Sequence, residues 1–512
     1  MTGASYDVIV VGGGTSGSVV AARLSEDPGR RVLLLEAGQA FTSVGEFPPQ
    51  LLGRDESAWV GQDHNWWYGV SLTRERPEPV PVTRGRVIGG SSSVNGGIHV
   101  RSVPEDFSGW GDGWWDWPDV LRCYRASERD LDFGADPVHG DRGPVTVRRA
   151  RRADYTPLYT SFDAACRSLG YAECADLNHP QAAGVGPLPR NFERGVRANA
   201  AFAYLFPALP RRNLDVRGNN VVNRVLVRHG VVSGVETLED GQLFRWHAPE
   251  VVLCAGALMT PAVLLRSGIG PGADLAELGQ PSLVELPGVG AMLRDHPTVH
   301  VQARPRTESI IPAAGAPGRL QAALTFTAPG SPHRNDLQIM PSYRGDRLAL
   351  TVMLNRSFST GTVRLSSVDP RDGPRIELNY LARRDDLTRL RAGVEEAVRI
   401  MTAPPLAEIA EEGSPDLRAA LTQGEPDWVR GNVSTAAHST GTCPIGNPGD
   451  GGVVDARGRV HGVDGLYISD VSIVPVPLRN NTNATAFMIG ERFAELFDAA
   501  SLPRAPGSPM TR

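Results

Sequence analysis

The chain opens on an unbroken apolar run. Residues 6–11, YDVIVV, lead into the turn GGGTSG and then SVVAARLSED, where Val19, Val20 and Leu24 recur at helical spacing before Pro28 ends the pattern. A second continuous run, RVLLLEAG at 31–38, comes next. Strands that are apolar on both faces belong in a parallel sheet covered on both sides, so this stretch predicts a strand–helix–strand unit of Rossmann type.

Further on the rhythm changes. Between about 305 and 380, segments such as TVRLSS and RIELNYL alternate in polarity between Pro, Gly and Asp, which predicts antiparallel strands. Residues 383–402 place Leu387, Leu390, Val394 and Val398 on one face of an amphipathic helix. The stretch 466–497 reads as strand (LYISD), loop (VSIVPVPLRNNTN) and helix (ATAFMIGERFAELF). The fold class expected is α/β: a discontinuous dinucleotide-binding domain at 1–150, 197–304 and 436–500, and an inserted antiparallel sheet with helices, the substrate domain, at 151–196 and 305–435. Residues 501–512, rich in Pro and Gly, read as a disordered tail.

Composition narrows the function classes. The 512 residues are 41% apolar and 21% charged with a net charge of −5, a globular balance that offers nucleic acid no basic field. The one basic run, VRRARR at 147–152, reads as a solvated loop. Five scattered cysteines without a C-x-x-C pair indicate a reducing compartment, with neither a disulfide framework nor a zinc site. The strand starts too early to leave room for a signal peptide, and no apolar run approaches a membrane span. These features predict a cytoplasmic protein, with peripheral contact at the inner face of the membrane left open.

Gly12, Gly14 and Gly17 form G-x-G-x-x-G between the first strand and the first helix, and Glu36 ends the next strand. In that context the glycines admit a tight turn, a close pyrophosphate and close helix packing, with Thr15 and Ser16 at the positive end of the helix. Glu36 suits a ribose diol and repels a 2′-phosphate, which disfavours NADP. NAD and FAD share this fingerprint. A second cluster of small residues, GRVIGGSSSVNGG at 85–97, suggests backbone lying against a large flat or charged ligand.

That cluster resembles the first signature of the glucose–methanol–choline (GMC) family of FAD oxidoreductases, and GALMTPAVLLRSGIG at 256–270 matches the second. GVGAMLRDHP (288–297), STGTVRLSSVDP with NYL following (359–381) and NTNATAFMIGER (481–492) are similar too, so the resemblance runs from about residue 5 to 498. It implies FAD as cofactor, contacted in the second loop by Arg86, Gly89, Gly90, Ser91, Asn95, Gly96 and Gly97. Further contacts are implied at Val222, Ala255, Asp470, Val471, Asn483, Ala484 and Thr485. His99 stands where the family usually has an aromatic, a departure expected to alter the wall near the flavin. Val94 stands where some members carry a histidine linked covalently to FAD, so the cofactor is expected to be noncovalent.

The resemblance also implies the catalytic pair. His438, in the small-residue stretch VSTAAHSTGTC, matches the histidine that precedes a G-T-C motif, and Asn481 matches the second catalytic position. Oxidising an alcohol needs a hydroxyl proton removed and a hydride accepted; imidazole suits the first task and flavin the second. A satisfied core histidine is the ordinary alternative for any single His, and the motif context favours catalysis. His296 and His300 sit four apart, but with Pro297 between them and no carboxylate at ligand spacing they do not read as a metal site. His461 reads as structural. The tryptophan clusters at 66–67 and 110–117 read as packing rather than a substrate cage.

The function expected is oxidation of an alcohol-type donor, by a dehydrogenase rather than an oxidase. The stretches ERDLDFGADPVHGDRGPVTVRR and GVRANAAFAYLFPAL resemble actinobacterial members associated with mycofactocin, a peptide-derived redox cofactor. That likeness implies reduced mycofactocin as donor and a respiratory carrier as electron acceptor. Ordinary alcohol, choline-like or sugar substrates are the alternative. A different class, an FAD-containing lyase that cleaves cyanohydrins without net redox, would use the same histidine. A serine hydrolase is set aside because the chain has no G-x-S-x-G elbow.

Overall fold

The computed structural model describes residues 6–53, 62–111, 113–311, 320–411 and 426–501. The tail expected after residue 501 lies outside the described residues. Five strands form a parallel sheet in the order Leu214–Arg217, Val32–Leu35, Val8–Val11, Glu250–Leu253, Leu466–Ile468. The continuous apolar runs are explained by its two covers. Val8, Val10, Val32 and Leu34 pack with Val19, Val20 and Leu24 of the helix Thr15–Leu24 and with Phe487 of the helix Thr482–Ser501. Ile9, Val11, Leu33 and Leu35 point the other way, into a core shared with Val225 and Val235 of a three-stranded antiparallel sheet. Alternate residues of one strand thus feed two cores, which leaves no polar face.

The second body is a six-stranded antiparallel sheet in the order Ser434–Thr435, Pro297–Ala303, Arg347–Leu354, Leu337–Arg344, Ala322–Phe326, Gly184–Pro187. The helix Arg384–Thr402 covers its back, where Leu387, Leu390 and Val394 share a core with Val299, Val301, Leu350 and Val352. Gly393 sits where a Cβ would come within 2.7 Å of Val352 Cγ1, so its missing side chain lets helix and sheet meet. The other face of the sheet, carrying Thr298, His300, Met340, Ser342, Thr351 and Met353, is turned to a cavity.

Two boundaries differ from the sequence pattern. The strand Pro297–Ala303 lies in this six-stranded sheet, whereas the pattern put residues up to 304 with the dinucleotide domain. Its alternation, PTVHVQA, says that one face is buried but not against which body. The segments TVRLSS and RIELNYL supply short strands, Thr362–Arg364 and Arg375–Glu377, that pair with Asn65–Ser71 and Val80–Gly85 in a separate four-stranded sheet. Among the described residues no helix is long and apolar enough to cross a membrane.

Candidate active site

A cavity of about 910 Å³ runs from the first glycine loop to the face of the six-stranded sheet. At one end, Gly14 caps the helix Thr15–Leu24 without a side-chain hydrogen bond, so the amides of the first turn have no protein cap. The two glycine loops lock together: the Gly89 amide donates to Gly13 O at 2.7 Å, and Gly90, at φ +54°, leaves room where a Cβ would reach Gly14 Cα at 2.6 Å. Glu36 is buried, and its two carboxylate oxygens accept from the amides of Gly13 and Gly38, each at 2.8 Å. Burial nevertheless pushes its carboxyl up to about 7.

Of the expected cofactor residues, Gly12, Gly14, Thr15, Ser16, Glu36, Gly90, Ser91, Asn95, Gly96, Val222, Ala255, Asp470, Val471 and Asn483 line this cavity. Six do not. Gly17 lies against Gly12 O, where a Cβ would come to 1.9 Å, and so serves helix packing. Gly89 holds the other loop, and Gly97 packs against the Phe192 ring. Arg86 stacks on Trp66 at 4.5 Å and donates to Ala37 O at 3.4 Å, so it lies behind two cavity-lining residues. Ala484 is core, and Thr485 Oγ1 shares a hydrogen bond with Tyr124 Oη at 2.8 Å. Sequence neighbours of a cavity residue on a helix point elsewhere because the helix turns by about 100° per residue. Asp470 lines the cavity, yet its carboxylate is occupied by the Gly256 and Ser472 amides and the Thr260 hydroxyl.

The donor set fits a flavin dinucleotide. An uncapped helix start, apposed glycine loops and an acidic strand end meet at one side, and buried amide atoms without a partner, Asn481 Oδ1 and Asn483 Nδ2, face the same space.

At the other end His438 is held from several directions. Its amide donates to Asp295 Oδ1 at 2.9 Å, and Ser439 Oγ donates to Asp295 Oδ2 at 2.8 Å while accepting from Arg84 Nη2 at 2.8 Å. Ala437, which precedes it, is at φ +60°, a conformation tolerated because the Ala437 amide is tied to Thr435 Oγ1 at 2.8 Å. The ring touches His296, Nδ1 to Nδ1, at 3.0 Å, and Asn481 Nδ2 lies 3.1 Å from its Nε2. Burial first, then the His296 and Arg84 neighbours, hold its pKa well below the ordinary imidazole range. His296 is held low by burial too.

Two neutral imidazoles in contact have one consistent proton arrangement here. His296 Nε2 faces the Leu478 carbonyl at 2.9 Å, an acceptor only, so this nitrogen carries the hydrogen. His296 Nδ1 must then accept, His438 Nδ1 must donate, and the lone pair of His438 is on Nε2, at the cavity, where it accepts from Asn481 Nδ2 at 3.1 Å. Sequence reasoning weighed His296 only as a metal ligand and did not single out Asp295 or Arg84. The quoted stretch RDHP contains two of them, and its recurrence within the family resemblance was the available signal.

Other expectations move as well. His99 is buried, pushed down to about 3 by burial and Arg101, and lies against Phe487 with ring centroids 5.9 Å apart. It does not line the cavity; Ile98 does, because successive extended residues face opposite ways. Trp66 is a cavity wall, while Trp110 and Trp115 are buried packing and Trp67 is exposed. His461 donates to Gly446 O at 2.9 Å, away from the cavity. Glu128, Asp130 and His139 converge in a buried cluster, and Arg101 and Arg149 meet its carboxylates as an ion-pair network.

Comparison with known proteins finds relatives over nearly the whole chain. Residues 6–298 and 357–490 match the N- and C-terminal family models described as GMC oxidoreductase. The chain is 37% identical to a GMC-type oxidoreductase of Rhodococcus erythropolis, over 96% of this chain and 98% of that one. It is 34% identical to 5-(hydroxymethyl)furfural oxidase of Methylovorus sp., over 97% and 99%, and 33% identical to oxygen-dependent choline dehydrogenase of Escherichia coli, over 98% and 97%. Among solved structures, pyridoxine 4-oxidase from Mesorbium loti superposes with a TM-score of 0.88 at 29% identity, over 96% of this chain and 99% of that one.

Proposed function

Because the chain belongs to the GMC oxidoreductase family, FAD enzymes acting on alcohol-type donors, we propose that His438 is the base that takes the hydroxyl proton and Asn481 its partner on the substrate oxygen. One observation carries this reading: the hydrogen-bond chain from Leu478 O through His296 puts the His438 lone pair on Nε2 at the cavity, where it accepts one hydrogen of Asn481 Nδ2 that a substrate hydroxyl would displace, the other remaining for the substrate oxygen. FAD supplies the two-electron acceptor when bound. His438 Nε2 takes the proton, Asn481 Nδ2 donates to the same oxygen, and the His438–His296 contact keeps the ring from turning. The small residues Thr435, Ala436 and Ala437 keep the approach to the base clear. Neutral imidazole is available at neutral pH because burial disfavours its charged form. After proton transfer, the carboxylate of Asp295, tied to the same loop, is the counter-charge.

The proposal extends to the cofactor link and the electron path. Val94 lines the cavity and offers no nucleophile, which supports noncovalent FAD. The sequence likeness to mycofactocin-associated members supports reduced mycofactocin as donor and a respiratory carrier as acceptor, with cytoplasmic placement. The anaerobic visible spectrum of the purified protein tests the donor side of this reading. Bleaching on addition of reduced mycofactocin or a simple alcohol supports oxidation and identifies the donor. A flavin that stays oxidised with every donor while cyanohydrin is cleaved would replace the reading with the lyase.

A further inference from the structure

The cavity floor beyond His438 is one face of the six-stranded sheet, and its polarity is uneven. Outward along the strand that follows His296 come Thr298 and His300, four residues and about 13 Å of extended chain from the base's neighbour. Across the sheet stand Met353 and Thr351, then Met340 and Ser342, and at the rim Arg344. The walls between are apolar, from Ile98, Leu320 and the two methionines.

Arg344, exposed at the cavity rim, has no ion-pair partner among the described residues. Its Nη2 donates to His300 Nε2 at 2.6 Å; a guanidinium can only donate, so His300 carries its hydrogen on Nδ1 and gives it to Thr351 Oγ1 at 3.1 Å. Burial and the Arg344 charge push His300 down to about 3, which keeps it neutral. Thr351 in turn shares a hydrogen bond with Ser342 Oγ at 3.2 Å. This chain orients the guanidinium without neutralising it. Among the described residues no carboxylate lies within ion-pair distance of Arg344, in contrast to Arg149, Arg389 and Arg479, which meet Asp130, Asp336 and Asp106. Among the described residues, the acids lining the cavity are Glu36 and Asp470, at the dinucleotide end and already occupied by backbone amides.

We infer that the substrate is an alcohol with an apolar or aromatic body and a carboxylate at its far end, received by Arg344 with His300 as the residue that positions it. The inference rests on the alcohol-oxidation reading for the identity of the reacting end. A guanidinium fork matches a carboxylate in charge and geometry. A quaternary ammonium at the same place would face a like charge with no acid to receive it, so choline-like donors are disfavoured.

The test uses matched pairs that differ in charge and little in shape: 4-(hydroxymethyl)benzoate against 4-(hydroxymethyl)benzamide, and the homologous 3-arylpropanoate against its amide. The flavin-loaded enzyme is expected to favour one acid over its amide by about 10- to 100-fold in kcat/KM, the scale of a hydrogen bond to a charged group at a partly solvated rim. Arg344→Met should reduce that ratio to about one with amide turnover retained, and Arg344→Lys should keep part of it. His300→Leu should raise KM for the acid with little change in kcat. Equal kcat/KM for both acids and their amides in the unmodified enzyme overturns the inference, as does a preference that survives Arg344→Met. If no probe bleaches the flavin, the alcohol-oxidation reading is decided by the donor test given above and calorimetric affinities decide the pocket: tighter binding of an acid than its amide supports the anion site, and equal binding overturns it.

Discussion

His296 and His438 meet Nδ1 to Nδ1 at 3.0 Å with their rings edge to face, and this contact decides which nitrogen of His438 can take a proton. His296 is in turn oriented by the Leu478 carbonyl, so a backbone group sets the tautomer of His438, the proposed base. Replacing His296 by Ala should lower the anaerobic flavin reduction rate by about 10²- to 10⁴-fold, since a wrong tautomer withdraws the base without removing it. Unchanged reduction kinetics in this variant would remove His296 from the arrangement.

His438→Ala should cost about 10² to 10⁴ in the reduction rate with FAD still bound. Stopped-flow bleaching at 450 nm or so reads the rate, and the flavin-to-protein absorbance ratio reads retention. Unchanged kinetics would remove His438 from the mechanism.

The pH profile follows from burial. The active form is neutral imidazole, and burial with the Arg84 charge lowers its pKa, so protonation and loss of activity come only on acidification below the ordinary imidazole value of about 6.5. From there to neutral pH, kcat/KM should be level. An acid limb centred above 7 would contradict the low pKa.

Glu36 is buried with each oxygen holding one amide hydrogen, which leaves acceptor capacity toward the cavity. Glu36→Ala should weaken FAD affinity by about 10- to 100-fold, the scale of a lost hydrogen bond to a charged group. Full flavin occupancy after gel filtration in flavin-free buffer would count against its role in cofactor binding.

Much of this protein was legible from local pattern. The runs at 6–11 and 31–38 could be nothing but doubly covered strands, and the small-residue stretches marked close backbone approach wherever they occurred. His438 and Asn481 were singled out by motif, and they meet at 3.1 Å although 43 residues separate them. Period and composition report how a residue meets its own element, and motifs report which types recur together. Neither reports which elements share a cavity. That the strand after His296 belongs to the second sheet, that His99 turns to Phe487 while Ile98 takes the cavity wall, and that Arg344 meets a neutral imidazole instead of a carboxylate all depend on long-range packing. The protonation state of the base belongs with them: the identity of His438 is local, but its free nitrogen is set by a residue 142 positions away, because a tautomer is decided by the partner that the fold brings to the other side of the ring.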